Sequence, residues 1–95
     1  MSWINLGEVY YVVHRAVSRA EAEATLALLR PMVLLDLPTA ERVITAARVK
    51  AQHPLAYADA FAVATASAHD AVLLTGDPEI TGHDVGCRVE DLSRR

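Results

Sequence analysis

The sequence predicts an α/β sandwich on a mainly parallel sheet, and three observations predict it. Stretches of helical length with apolar residues at a 3.6 period alternate with short, continuous apolar runs. One helix-length stretch, 56–69, is apolar on every face, as a helix buried among other elements must be. The runs 32–35 and 71–75 end abruptly in an acid or in turn residues, as buried parallel strands do. The resulting order, β-α-α-β-α-α-β-β, packs as helices against a parallel sheet. Ninety-five residues make a single domain, 1–95.

Residues 2–5 are expected to form a short strand that runs directly into a helix. From Leu6 the residues Val9, Tyr10, Val13 and Val17 continue one apolar stripe, so 6–17 reads as an amphipathic helix with Glu8 in its first turn. Ser18-Arg19-Ala20-Glu21 fits a capping box and opens a second helix, 19–30, which Pro31 stops. Met32-Val33-Leu34-Leu35-Asp36 reads as a buried strand. Thr39 is an N-cap for a third helix over 40–52, which His53-Pro54 breaks. The alanine-rich segment 56–69 is the fourth. Residues 71–75 form a central strand closed by Gly76-Asp77-Pro78, a helical turn follows at 78–80, and 86–90 is the last strand.

Composition narrows the function. A net charge of −3 argues against holding nucleic acid by bulk electrostatics alone, although an acidic metal site can carry a phosphate through its ion. Cys87 is the only cysteine, so no intrachain disulfide forms, which fits a reducing cytosol. No apolar run approaches a membrane span, and the first residues lack the pattern of a signal peptide. His14, His53, His69 and His83 have no metal-ligand spacing, and no glycine-rich phosphate loop occurs. Arg15, Arg42, Arg48 and Lys50 could touch phosphates, but solvated helix faces account for them equally well.

Three acids stand in distinctive settings. Asp59 is the one charge in an otherwise apolar helix until His69-Asp70. An ionised carboxylate there needs a partner, and no Lys or Arg lies within a turn of it. An Asp early in a helix also simply satisfies free backbone N–H groups. Asp77 follows a buried parallel strand, where ligands of α/β sheets sit, yet Gly-Asp-Pro is also an ordinary turn. Glu8 taken alone is a helix-start acid. Asp36 closes a strand too and reads as structural, as a cap for the helix that follows.

Glu8 in Ser2-Trp3-Ile4-Asn5-Leu6-Gly7-Glu8-Val9, Asp59 in Tyr57-Ala58-Asp59-Ala60-Phe61-Ala62, and Asp77 in Val72-Leu73-Leu74-Thr75-Gly76-Asp77-Pro78-Glu79 together resemble the acidic signature of the PIN-domain nucleases. That family includes many toxin ribonucleases of toxin–antitoxin pairs. The resemblance runs from Ser2 to about Leu92. It implies a metal site of Glu8, Asp59 and Asp77 binding Mg²⁺ or Mn²⁺, with Thr75 and Glu79 as auxiliaries and Glu79 the more solvated. It also implies an RNA substrate, an antitoxin partner and a cytoplasmic setting. The family places a further Asp on a central first strand, in the sheet order 3-2-1-4-5, with the 32–36 strand at the edge. Nothing acidic precedes Glu8 here. The expectation is therefore a PIN-like domain lacking that strand, with weakened ribonuclease activity and open sheet edges that favour a homodimer. The alternative is a non-catalytic PIN remnant that binds an antitoxin or itself.

Overall fold

The computed structural model describes residues 1–75, 77–82 and 84–92. Helices α1 (Trp3–Ala16) and α2 (Arg19–Leu29) form an antiparallel hairpin, followed by α3 (Ala40–Gln52) and α4 (Tyr57–Ala68). Strand β1 (Val72–Thr75), the short helix α5 (Pro78–Thr81) and strand β2 (Arg88–Asp91) complete the chain. The strands pair in parallel, from Val72 opposite Arg88 to Thr75 opposite Asp91. The α/β class with a small parallel sheet therefore stands.

Helix α4 is the hub. It packs on α3, α1 and β1. Its small residues allow the close approach: Ala60 and Ala64 meet Ala46 of α3, with Phe61, Val43 and Val49 around them. On another side Val63 joins Leu55, Ile80 and Val85, with Leu73 and Val89 of the two strands against them. The helices begin where local chemistry starts them. Ser18 accepts a hydrogen bond from the Glu21 N–H, and Thr39 accepts one from the Arg42 N–H. Helix α2 is held to α1 by the Tyr10 hydroxyl donating to Glu23 (2.8 Å) and by the Arg30 guanidinium over the Trp3 ring (5.2 Å).

Several expectations are corrected. The strand at 71–75 is neither central nor buried among the described residues: it pairs with β2 alone, and Val72 and Leu74 are exposed. Residues 2–5 are not a strand. Ser2 is an N-cap whose side chain accepts from the Ile4 N–H, and α1 starts at Trp3. Glu8 consequently lies in the second turn, not the first. Residues 32–35 are not a buried strand either: Met32 is exposed and Leu34 is 93% exposed. What survives is one parallel bridge between Ser2 and Asp36, flanked by the Met1 ammonium donating to the Leu34 carbonyl (2.9 Å) and the Asp36 N–H donating to the Met1 carbonyl (2.8 Å). A strand is defined by its partners, and this segment finds only two residues' length of partner. The last strand starts later than expected because Gly86 takes φ +88°, outside the extended region.

Asp36 does not cap α3, since Thr39 does so. It instead sits beside Arg42 (Nε to Oδ2, 3.2 Å) and His69 (Nε2 to Oδ1, 3.0 Å). The His69 hydrogen bond and then the Arg42 charge hold its carboxyl below the ordinary value, against the opposing effect of burial. Arg42 also donates to the Ala64 carbonyl (3.2 Å), tying α3 to α4.

Because Ala60 is fully buried against α3, Ala60→Leu should overpack the α3–α4 seam. The expected loss is about 1–3 kcal/mol in urea unfolding, against less than about 0.5 kcal/mol for Leu34→Ala. Equal effects of the two substitutions would show that the seam is not tightly packed.

Candidate active site

The acids converge because separate elements aim at one place. Helix α4 opens at Ala56, which offers no side-chain cap, and Asp59 stands in its first turn. The helix dipole there favours an anion. Helix α1 is fixed to this end of α4 by Asn5, whose Nδ2 donates to the Ala58 carbonyl (2.8 Å). Glu8 lies three residues after Asn5, on the same face of α1, and so is turned toward Asp59. Strand β1 delivers the third group. The Thr75 hydroxyl accepts from the Asp77 N–H (3.1 Å), and Asp77 Oδ1 accepts from the Glu79 N–H (2.9 Å) as the N-cap of α5. These two bonds set the direction of the Asp77 carboxylate and bring Glu79 beside it.

Asp59, Asp77 and Glu79 each place a carboxylate oxygen so that all three lie within 4.8 Å of one another. Glu8 stands just outside that group, yet its charge reaches Asp59. Burial first, then the charges of Asp77 and Glu8, push the Asp59 carboxyl up from 3.8 to about 6; a hydrogen bond with Asp77 and the charge of Glu79 add to the shift. The helix dipole is thus outweighed by burial together with the neighbouring charges. Glu79 is exposed, as expected of a turn residue, but it joins the cluster. Gly76, which precedes Asp77, and His83 lie outside the described residues.

The donor set fits a hard divalent cation. All three groups are carboxylates, and an ion with ligands at about 2.1 Å spaces neighbouring oxygens about 3–4 Å apart. The three oxygens lie within 4.8 Å of one another, a span compatible with that spacing. The geometry has no comparable fit for thiol chemistry. Cys87 is half-buried, and burial raises its thiol pKa, which keeps it protonated. Two site residues carried little signal in the sequence. Asn5 acts through a contact fifty-three residues away. Glu79 looks like any polar turn residue until α5 folds it back.

The raised Asp59 pKa has a stability consequence in the metal-free chain. Below about pH 4 the group is protonated folded or unfolded; above about pH 6 it is ionised in both, and the folded state carries the whole repulsion. Stability should therefore rise as pH falls from 7 through 6. Asp36 acts in the opposite sense, but only below its ordinary 3.8. Thermal melts in EDTA should show Asp59→Asn melting higher than wild type at pH 7, with a shallower slope between about pH 4.5 and 7. An unchanged slope would mean that Asp59 does not feel its neighbours.

Comparison with known proteins agrees with this arrangement. No curated protein and no solved structure matches the chain. The family profile of the PIN domain matches residues 1–84, which include Glu8, Asp59, Asp77 and Glu79. PIN domains are generally nucleases and typically depend on divalent metal. With the profile spanning most of its length and an acidic cluster where α1, α4 and β1 meet, the chain belongs to the PIN-domain family.

Proposed function

We propose that this chain is a metal-dependent ribonuclease of the toxin type, with low turnover as an isolated chain. The observation that carries the reading is the convergence of Asp59, Asp77 and Glu79 within 4.8 Å, with Glu8 close enough to perturb Asp59. Asp59 and Asp77 would hold Mg²⁺ or Mn²⁺, with Glu8 and Glu79 adding negative charge around it. A cation bound there would supply polarisation of an RNA phosphodiester and a lowered pKa for an attacking water. Thr75 fixes the turn that aims Asp77, and Asn5 fixes the start of α4 that aims Asp59; both are positioning residues. The shell is open to solvent at Glu79, which would give a phosphate access but fix an ion poorly. Poor placement would limit the rate, because misplacing reacting groups by about 1 Å costs on the order of 100-fold.

One observation favours a second reading, a non-catalytic module that binds an antitoxin or another copy of itself. Tyr11 and Val12 of α1, its C-cap Val17 and Leu28 of α2 are exposed, apolar surface that a partner could cover. Calorimetric titration with Mn²⁺ separates the two readings. The nuclease reading expects saturable binding, a higher melting temperature at pH 7, and slow cleavage of single-stranded RNA in Mn²⁺. Asp59→Asn and Asp77→Asn should each weaken the metal response and lower cleavage by about 100-fold or more. A chain that neither binds Mn²⁺ nor melts higher in its presence is the binding module.

A further inference from the structure

Helix α4 carries Asp59, yet no side chain at its own start fixes where it begins. Its N-cap is Ala56, which has no side-chain oxygen to accept from the first N–H groups. Every other described helix opens on such an oxygen, from Ser2, Ser18, Thr39 or Asp77. The start of α4 is therefore set by contacts with other elements. Asn5 supplies one, from α1 to the Ala58 carbonyl. Lys50 supplies another from α3, its Nζ donating to the Leu55 carbonyl at 2.8 Å.

The Leu55 carbonyl stands just ahead of the α4 ladder, whose first acceptor is the Ala56 carbonyl, bonded by the Ala60 N–H. Leu55 is only 2% exposed, so its backbone oxygen needs a partner from within the fold. Its side chain packs with Val63 of α4, with Val85 and with Ile80 of α5. Ile80 directly follows Glu79, and Asp77 is the N-cap of the same short helix. Leu55 thus leads into the helix that carries Asp59 and touches the helix that carries the other two acids. Lys50 holds its backbone. The residue type suits the task. Lys50 lies in the last turn of α3, where the helix dipole favours a cation. An ammonium on a flexible stem is a compact donor that can turn past the helix end to a carbonyl in the connection.

We propose that Lys50 is a positioning residue for the acid cluster: it holds the 53–56 connection so that α4 and α5 present Asp59, Asp77 and Glu79 to one cation. The proposal rests on reading those acids as a cation site. Lys50 acts through the Leu55 carbonyl and not on the reacting atoms. Without its donor the carbonyl is left unpaired, and the connection gains freedom to shift. Such a shift reaches Asp59 through the start of α4. It reaches Asp77 and Glu79 through the Leu55–Ile80 contact.

The test compares the full chain with Lys50→Met, which keeps an unbranched stem at an exposed position and removes the donor. Amide exchange in EDTA reads the positioning without any metal. The Ala60 N–H, bonded to Ala56, and the Ile80 N–H, bonded to Asp77, should exchange about tenfold faster in Lys50→Met. The Ala22 N–H, bonded to Ser18 in the α1–α2 hairpin, should change less than about twofold. A general loss of stability would speed all three alike. Calorimetric titration with Mn²⁺, with no RNA present, should show affinity weakened about tenfold, as losing a group that orients metal ligands does. Lys50→Arg keeps a charged donor and should recover most of both effects. Unchanged exchange at Ala60 and Ile80, equal acceleration of all three amides, or unchanged Mn²⁺ affinity in Lys50→Met overturns the proposal. So does a Lys50→Arg chain as impaired as Lys50→Met. If the wild-type chain itself binds no Mn²⁺, the nuclease reading fails, while the exchange pattern still decides whether Lys50 orders the two acid-bearing helices.

Discussion

The whole arrangement depends on one helix being packed on three neighbours and largely buried from Ala60 to Ala66. Helix α4 touches α1, α3 and β1, and it can do so because alanines at 60, 64 and 66 let neighbouring backbones approach. A larger side chain at those positions would push α3 or the strand outward, and with them the elements that carry the acids. Burial also decides the electrostatics. Asp59 stands at the start of a largely buried helix, and burial is the largest of the causes that raise its carboxyl, ahead of any neighbouring charge. The same packing that makes the fold makes the site.

The site therefore illustrates a conflict between stability and function. Two contacts, Asn5 to Ala58 and Thr75 to Asp77, hold like charges together that would otherwise separate. In the absence of a cation the crowding is a standing cost to the fold, which shows in the raised Asp59 carboxyl. A hard divalent ion would convert that cost into attraction, because carboxylates already gathered by the fold do not have to be gathered on binding. Compare Asp36, which is also partly buried but is held low by His69 and Arg42. One carboxylate has its countercharges built in, and the other lacks them. That difference separates an acid whose charge the fold balances from one whose charge it leaves unbalanced.

Much of this was legible in the sequence where the cause is local. The Ser18 and Thr39 caps, the all-apolar α4 and the turn after β1 follow from residues within a few positions of one another, and each was placed to within a residue or two. The failures lie where the cause is distant. Residues 32–35 have the composition of a buried strand, but a strand exists only with a neighbour, and here the neighbour is two residues long. Helix α1 was expected to start at Leu6 because its apolar stripe begins there, whereas the Ser2 hydroxyl starts it at Trp3. In the site, Asp59 and Asp77 were legible from context. Asn5 was not, since its role depends on a carbonyl in α4, nor was the folding back of Glu79 toward Asp77.

The acids depend on how two elements are held on either side of α4. Ser2 starts α1, which carries Asn5 and Glu8, and β1 leads into Thr75 and Asp77. Asn5 ties α1 to the Ala58 carbonyl beside Asp59, so a shift of α1 would move the start of α4 with it. A cation that drew the carboxylates together would restrict α1 and β1, and any contact that held those elements more firmly would favour the cation by the same factor. The precision with which the carboxylates are placed is therefore set outside the cluster, by how firmly α1 and β1 pack on α4.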